Sequence, residues 1–365
     1  MRVGLVIYGG LETVSGGYLF DRKLVEYLRS RGDTVEMVSQ SWGAYPRRLA
    51  QNWLGGWRQR LARLEVDVLV QDELNHPSLF ALNRRLRRET SFPLVGIVHH
   101  LRVSESHPAA LMPFYRAVER RYLAGLDGFI FNSRTTRQSV EDLLSRPTHG
   151  AVVTPAGDRF EGLNEAQVTA RSRRAGALRL LFVGNLIERK GLHTVIEALG
   201  RLPCGSCVLR VVGRESVDPR YSDRLRRQVR RLGLGPHVVF LGGVSDADLE
   251  QELRDAQVLV MPSQHEGFGI VYLEGMHFGL PALASTQGAA GEIVRDGQEG
   301  RLIHPEDVEG AASWLSALAA DRERLERLSL AARRRFADFM GWEAGMASAR
   351  SFLETMIRDG ALRSP

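Results

Sequence analysis

Lysine is almost missing from this chain. Among 49 basic side chains only Lys23 and Lys190 are lysines, and the rest are arginines. Base composition explains such a bias most simply, so an arginine run carries little information and a retained lysine carries more. Cysteine is equally scarce: Cys204 and Cys207 cannot build a disulfide framework, which points to a reducing compartment. No run of about 18 apolar residues occurs, so nothing reads as a membrane span. The first residues, MRVGLVIYGG, reach paired glycines at once and lack the length and cleavage site of a secretory signal. The net charge of +6 is spread along the chain and forms no basic tail, which gives nucleic-acid binding no support. A weakly basic surface facing anionic lipid stays open. Internal repeats and low-complexity tracts are also missing.

What is present is a globular composition, 44% apolar and 25% charged, over 365 residues, long enough for two domains. Short, β-branched apolar runs alternate with amphipathic stretches. The first series of expected strands is 2–8, 34–40, 66–71, 94–99, 128–132 and 151–155. The second is 178–184, 208–213, 238–241, 258–262, 281–285 and 301–304. Helical periodicity falls between most of them, as at 18–31, 194–202 and 225–232. Near-continuously apolar strands separated by helices read as parallel sheets covered on both faces. Two such series in tandem read as two doubly wound α/β domains. The boundary is expected in the polar stretch 161–177, giving domains 1–165 and 166–341, with a helical tail, 342–365, returning to the first. Ligands of open α/β sheets bind beyond the carboxyl ends of the strands, so the residues after each strand are the ones to search.

After the first strand comes Gly9-Gly10-Leu11-Glu12-Thr13-Val14-Ser15-Gly16-Gly17 and then a helix. Glycines at such a turn let backbone N–H groups approach an anion closely. After 94–98 come His99 and His100, whose side chains suit proton work or a sugar hydroxyl. No Cys/His/Asp cluster completes a metal site in the sequence. The second half opens with Gly184-Asn185-Leu186-Ile187-Glu188-Arg189-Lys190-Gly191, a strand-to-helix turn carrying a basic pair suited to phosphate oxygens. The most informative segment is Glu266-Gly267-Phe268-Gly269-Ile270-Val271-Tyr272-Leu273-Glu274. It places one carboxylate in a glycine-rich loop and another on the following helix. The N–H groups near Phe268–Ile270 would form that helix's N-terminus. Carboxylates accept hydrogen bonds from vicinal sugar hydroxyls.

Together these segments resemble the retaining GT-B glycosyltransferases of family 4, the glycosyl transferases group 1, over roughly residues 3–358. The Glu-x7-Glu stretch, EGFGIVYLEGMHFGLPALAS, is the most specific part. The GNLIERKGL stretch, the Ser-Gly-Gly loop and Gly341-Trp342-Glu343 agree in order and spacing. The resemblance implies a GT-B architecture of two Rossmann-like domains facing a cleft. It implies an acceptor-side N-terminal domain, a nucleotide-sugar-binding C-terminal domain, and metal-independent transfer of a hexose-type sugar from a nucleotide-diphosphate sugar to a glycan, glycolipid or small-molecule hydroxyl. Gly16 and Gly17 would approach the donor diphosphate, and Arg189 and Lys190 would neutralise it. Glu266, with Gly267, Phe268, Gly269 and Ile270, would hold the sugar, Glu274 the ribose, and Val244 would lie near the base. His99 or His100 would be the active-site histidine, because the second position is often acidic in relatives. Asn185 stands where many relatives carry Arg, so that contact is lost or supplied by Arg189. Catalysis would rest on His99, Glu266 and Lys190, in a cytoplasmic enzyme that needs no cofactor beyond its donor. Two rivals are a non-catalytic sugar-nucleotide-binding protein and a GT-B epimerase.

Three motifs read differently. Asp246-Ala247-Asp248 spells a metal-binding DxD, but Ser245 before it looks like an N-cap with first-turn acids after it. Cys204-Gly205-Ser206-Cys207 lies before a strand and has no second pair, against a zinc or redox role. Residues 41–64 hold three Trp and five Arg with no acid. They read either as a face for membrane or glycolipid or as an acceptor-side loop and solvated helix.

Overall fold

The computed structural model describes residues 1–105 and 107–361. The chain forms two compact units, Met1–Pro155 with Trp342–Pro365, and Ala156–Gly341. Each holds one six-stranded parallel sheet. In the first, β1 (Arg2–Tyr8), β2 (Thr34–Gln40), β3 (Val68–Asp72), β4 (Leu94–Val98), β5 (Gly128–Phe131) and β6 (Gly150–Val152) lie in the order β2-β1-β3-β4-β5-β6. In the second, β7 (Leu178–Val183), β8 (Cys207–Val212), β9 (Val238–Gly242), β10 (Val258–Val260), β11 (Ala282–Ser285) and β12 (Gly300–Ile303) lie in the order β12-β11-β10-β7-β8-β9. All twelve expected strands form, within a few residues of their expected ends. The central strands β3, β4 and β5 are buried on both faces, which is why their sequences are apolar without alternation.

The expected helix at 225–232 is the end of a longer one, Pro219–Arg231. It starts at an Asp218 cap followed by Pro, a start signal masked by its arginine-rich surface. The first unit ends earlier than the polar stretch 161–177 suggests. That stretch carries the helix Glu165–Ser172, opened by an Asn164–Gln167 capping box. The helix belongs to the second unit: buried Arg171 donates to the Gly279 carbonyl at 2.8 Å, and Glu165 pairs with Arg334 at 2.8 Å. The final helix, Trp342–Ala361, packs in the first unit. Its Met346, Ala349 and Leu353 are buried, and Arg350 pairs with Asp33 at 2.7 Å. No helix among the described residues is long and apolar enough to cross a membrane.

The chain order reverses direction across each sheet at one place, between β1 and β3 in the first unit and between β7 and β10 in the second. In an open parallel sheet the loops leaving such neighbours diverge to opposite faces and leave a crevice.

Candidate functional site

In the second unit the predicted residues gather at the reversal between β7 and β10. The loop after β7 runs through Asn185 into a turn at Glu188–Lys190, and the loop after β10 runs from Pro262 to Gly269. The loops are laced together. Gln264 N–H donates to the Arg189 carbonyl at 2.7 Å, and Arg189 Nη1 donates to the His265 carbonyl at 2.5 Å. Gly191, at φ +72°, lies against the Pro262 carbonyl where a Cβ would collide. Lys190 Nζ meets Glu266 Oε1 at 2.6 Å. Burial disfavours the Glu266 carboxylate, but the positive charges of Lys190 and Arg189 outweigh it and hold the group at about 2. Burial lowers Lys190 in turn, against the pull of Glu266. Glu266 is therefore a carboxylate at neutral pH.

Gly269, at φ +95°, turns the chain into the helix Ile270–His277, whose first N–H groups sit beside this pair in sequence. Phe268 is buried in the core of the second unit, so only its backbone is available to a ligand. Glu274, on the same helix, is met by Arg159 Nε at 2.5 Å, and Arg159 also reaches Asp246 at 3.1 Å. Burial raises Glu274, and Arg159 opposes that rise. Arg159 escaped the sequence reading because nothing distinguishes it from the other arginines. Val244 is half-buried in the loop after β9, two strands away from β7. Ser245 does cap its helix, accepting from Asp248 N–H at 3.2 Å, so the Asp-Ala-Asp run is a first helical turn. Cys204 is exposed with His237 Nε2 at 3.2 Å, and Cys207 is the first, buried residue of β8.

In the first unit Gly16 and Gly17 open the helix Gly16–Ser30 behind a Ser15 cap. A Cβ on Gly17 would stand 2.9 Å from His99 Cδ2, so glycine here makes room for the imidazole. His99 Nε2 lies 3.3 Å from Asp21 Oδ1, Phe20 meets the ring edge-on, and Asn132 donates to the His99 carbonyl at 2.7 Å. Asp72, at the end of β3, joins the cluster; the donor atoms of Asp21, Asp72 and His99 all lie within 4.8 Å of one another. Burial disfavours charged His99, but Asp21, Asp72 and Glu73 raise it above the usual histidine value. Asp72 is held well above the carboxylate range by burial and by Asp21. His100 points elsewhere, to Glu105 at 3.0 Å. Of the two histidines, His99 is the one built into a buried network.

A second triplet, Glu73, His76 and Glu119, is entirely buried. The sequence offered no metal-type cluster, but the fold assembles the first from residues 27 to 78 positions apart and the second from Glu73 and His76, three apart, with Glu119, 43 positions further on. Their spacing in sequence is what hid them. Glu119 accepts the N–H groups of Arg102 and Val103 at 2.7 and 3.1 Å. Burial and the charge of Glu105 raise Glu73 to about 7, against a hydrogen bond with Glu119 that lowers it, and burial and the charge of Glu73 raise Glu119 to about 8. Burial lowers His76 to about 4.

This first-unit cluster has a measurable consequence. A carboxyl or histidine whose folded value is raised stabilises the fold below its unfolded value, and that stability is lost as pH rises through the folded value. His99, Glu73 and Glu119 all have that sign; His76 has the opposite one, complete by about pH 6.5. Between about pH 6.5 and 8 the melting temperature is therefore expected to fall, and Glu119→Gln should flatten the fall. An unchanged slope in that variant would count against a raised Glu119 carboxyl.

Comparison with solved structures places this fold. Sucrose-phosphate synthase from Thermosynechococcus elongatus superposes with a TM-score of 0.84 at 20% identity, covering 98% of this chain and 99% of that one. Anabaena HepE, solved with UDP and glucose, gives 0.79 at 18% identity over 97% of this chain and all of the other. The fold is GT-B, with two doubly wound Rossmann-like units. By sequence, phosphatidyl-myo-inositol mannosyltransferase of Mycobacterium leprae is 30% identical over 387 aligned positions, 99% of this chain and 98% of the relative. The model of the family Glycosyl transferases group 1 matches residues 167–335. The chain belongs to that family. GDP-mannose-dependent alpha-(1-6)-phosphatidylinositol monomannoside mannosyltransferase of Mycobacterium tuberculosis is 28% identical over 67% of this chain, and the match spans 66% of that relative, a little under two thirds of its length.

Proposed function

We propose that this protein transfers a hexose-type sugar, with retention of anomeric configuration and without a metal, from a nucleotide-diphosphate sugar to a hydroxyl acceptor. The observation that carries the reading is the Lys190–Glu266 contact at 2.6 Å, set with Arg189 at the β7/β10 reversal and followed by the Gly269–Ile270 helix start. As the donor's glycosidic bond breaks, negative charge grows on the leaving diphosphate. Fixed cations and helix N–H groups aimed there lower the barrier without reorganising. Lys190 and Arg189 serve that end, and Glu266 orients the sugar through its hydroxyls. Glu274 takes the ribose hydroxyls, with Arg159 holding the carboxylate in place. The second unit is thus the donor unit, with Val244 toward the base, and the first is the acceptor unit. There Gly16 and Gly17 offer backbone N–H groups to an anion, and His99, set by Asp21, meets a sugar hydroxyl. The leaving phosphate helps to take the acceptor proton.

The relatives named above act on phosphatidylinositol compounds, and on this chain Trp53, Leu54, Leu111 and Phe114 are exposed on the first unit. These support a cytoplasmic enzyme that works at the inner face of a membrane. The donor is found by thermal-shift screening against UDP-, GDP- and ADP-sugars, because a ligand at 100 times its Kd stabilises by about 2.7 kcal/mol. One nucleotide is expected to raise the melting temperature and to be hydrolysed slowly without acceptor. No shift with any of the three would sink the donor assignment.

A further inference from the structure

We infer that Arg48 and Arg102 form an anion-binding subsite in the first unit, which takes the phosphate of a phosphorylated polyhydroxyl acceptor. The inference rests on the glycosyltransferase reading and narrows its acceptor.

Arg48 lies on the short helix Tyr45–Ala50 that follows β2, and Arg102 lies in the turn that follows β4. Tyr8 ends β1, and Glu73 follows β3. Four neighbouring strands of one sheet thus deliver these groups at their carboxyl ends, where such sheets bind ligands. Tyr45 stands between the two cations, with its ring 5.7 Å from the Arg48 guanidinium carbon and 4.6 Å from that of Arg102. Arg102 is also over Tyr115 at 4.4 Å, and Arg48 over Tyr8 at 5.1 Å.

Rings hold a guanidinium by its faces and leave its in-plane N–H donors directed outward, the geometry that accepts a phosphate. Elsewhere in this chain half-buried arginines spend those donors on carboxylates, as Arg159 does on Glu274, Arg350 on Asp33 and Arg210 on Glu252, or on backbone carbonyls, as Arg22 does on Leu11 and Arg189 on His265. Among the described residues neither Arg48 nor Arg102 has a carboxylate within ion-pair distance, and the buried Nε of each has no hydrogen-bond partner. Two acids near Arg102, Glu73 and Glu119, are buried and both are raised, chiefly by burial, so they do not cancel its charge fully near neutrality. Trp42, half exposed and packed on Tyr8 at 5.2 Å, adds a ring face beside the cations on which a sugar or cyclitol ring can lie.

The same phosphate chemistry occurs in a soluble sugar phosphate and in a phospholipid headgroup, and the test separates them. Binding of myo-inositol 1-phosphate and of plain myo-inositol is measured by titration calorimetry on the whole protein. Flotation with phosphatidylcholine vesicles, with and without phosphatidylinositol, is measured alongside. The phosphate-bearing probe, free or in the vesicle, is expected to bind at least about tenfold more tightly than its phosphate-free counterpart. Arg48→Gln and Arg102→Gln should each remove most of that difference, and Arg48→Lys should keep part of it. Binding of the free probe assigns a soluble acceptor; binding only in the vesicle assigns a headgroup. Equal binding with and without phosphate overturns the inference, as does a preference that survives both Gln variants. If Arg102→Gln lowers the melting temperature sharply, Arg48→Gln alone decides. UDP-, GDP- and ADP-sugar shifts are read on the same samples. If those fail while the phosphate probe binds, the donor reading falls and the arginine pair stands; unaltered donor shifts with no phosphate preference mean the reverse.

Discussion

Replacing Lys190 with Ala is expected to lower turnover under saturating donor by more than tenfold, about 1.4 kcal/mol or more of barrier. The effect has two parts that can be separated. Lys190 neutralises the leaving diphosphate, and it also neutralises Glu266, whose side chain is almost wholly buried. Removing one member of a buried ion pair leaves the other uncompensated, at a cost of about 3–5 kcal/mol. Lys190→Ala should therefore also lower the melting temperature, and the Glu266 carboxyl should titrate well above its present value near 2. In the double variant Lys190→Ala/Glu266→Gln no buried charge is stranded, so stability should largely return while turnover stays low. Recovery of both together would mean that Lys190 serves folding alone, and near-normal turnover in the single variant would refute its role outright.

His99→Gln carries the second large effect, a loss of about 100-fold in kcat, the scale of a positioned side chain acting on a reacting group. Asp21→Asn tests how the imidazole is held. Asp21 is fully buried, contacts His99 at 3.3 Å, and raises it. Without that carboxylate His99 loses its proton at lower pH, so the limb of the kcat/KM profile that reports His99 should move toward acid. A structural Asp21 would change stability but leave that limb in place. His100→Gln is expected to do little by comparison, because its ring is turned to Glu105. A kcat loss in His100→Gln matching that of His99→Gln would reverse the choice between them.

Much of the fold was legible because buried parallel strands write themselves as short apolar β-branched runs, and all twelve are there. The second-unit site was legible for a related reason. Its parts are contiguous motifs at strand ends, and a lysine stands out in a chain that otherwise uses arginine. The rest depends on pairs far apart in sequence. Arg159 reaches Glu274 across 115 positions and His99 reaches Asp21 across 78, and neither Arg nor Asp carries a local signature. Gly17 looked like a phosphate-loop glycine; its contact with His99 adds a steric reason for it that only the fold reveals. The Arg48–Tyr45–Arg102 stack was hidden by the arginine background itself, since what marks those two is the tyrosine ring they share.

The unequal continuity of the two units governs the order in which they can close. The second unit is one uninterrupted stretch, Ala156–Gly341. The first is assembled from two separated stretches, Met1–Pro155 and Trp342–Pro365, and Trp342, Met346, Leu353 and Met356 are buried in it. During synthesis at the ribosome, the sheet made first must therefore wait for the helix Trp342–Ala361 to emerge before its apolar surface is sealed, while the sheet made second can close before it.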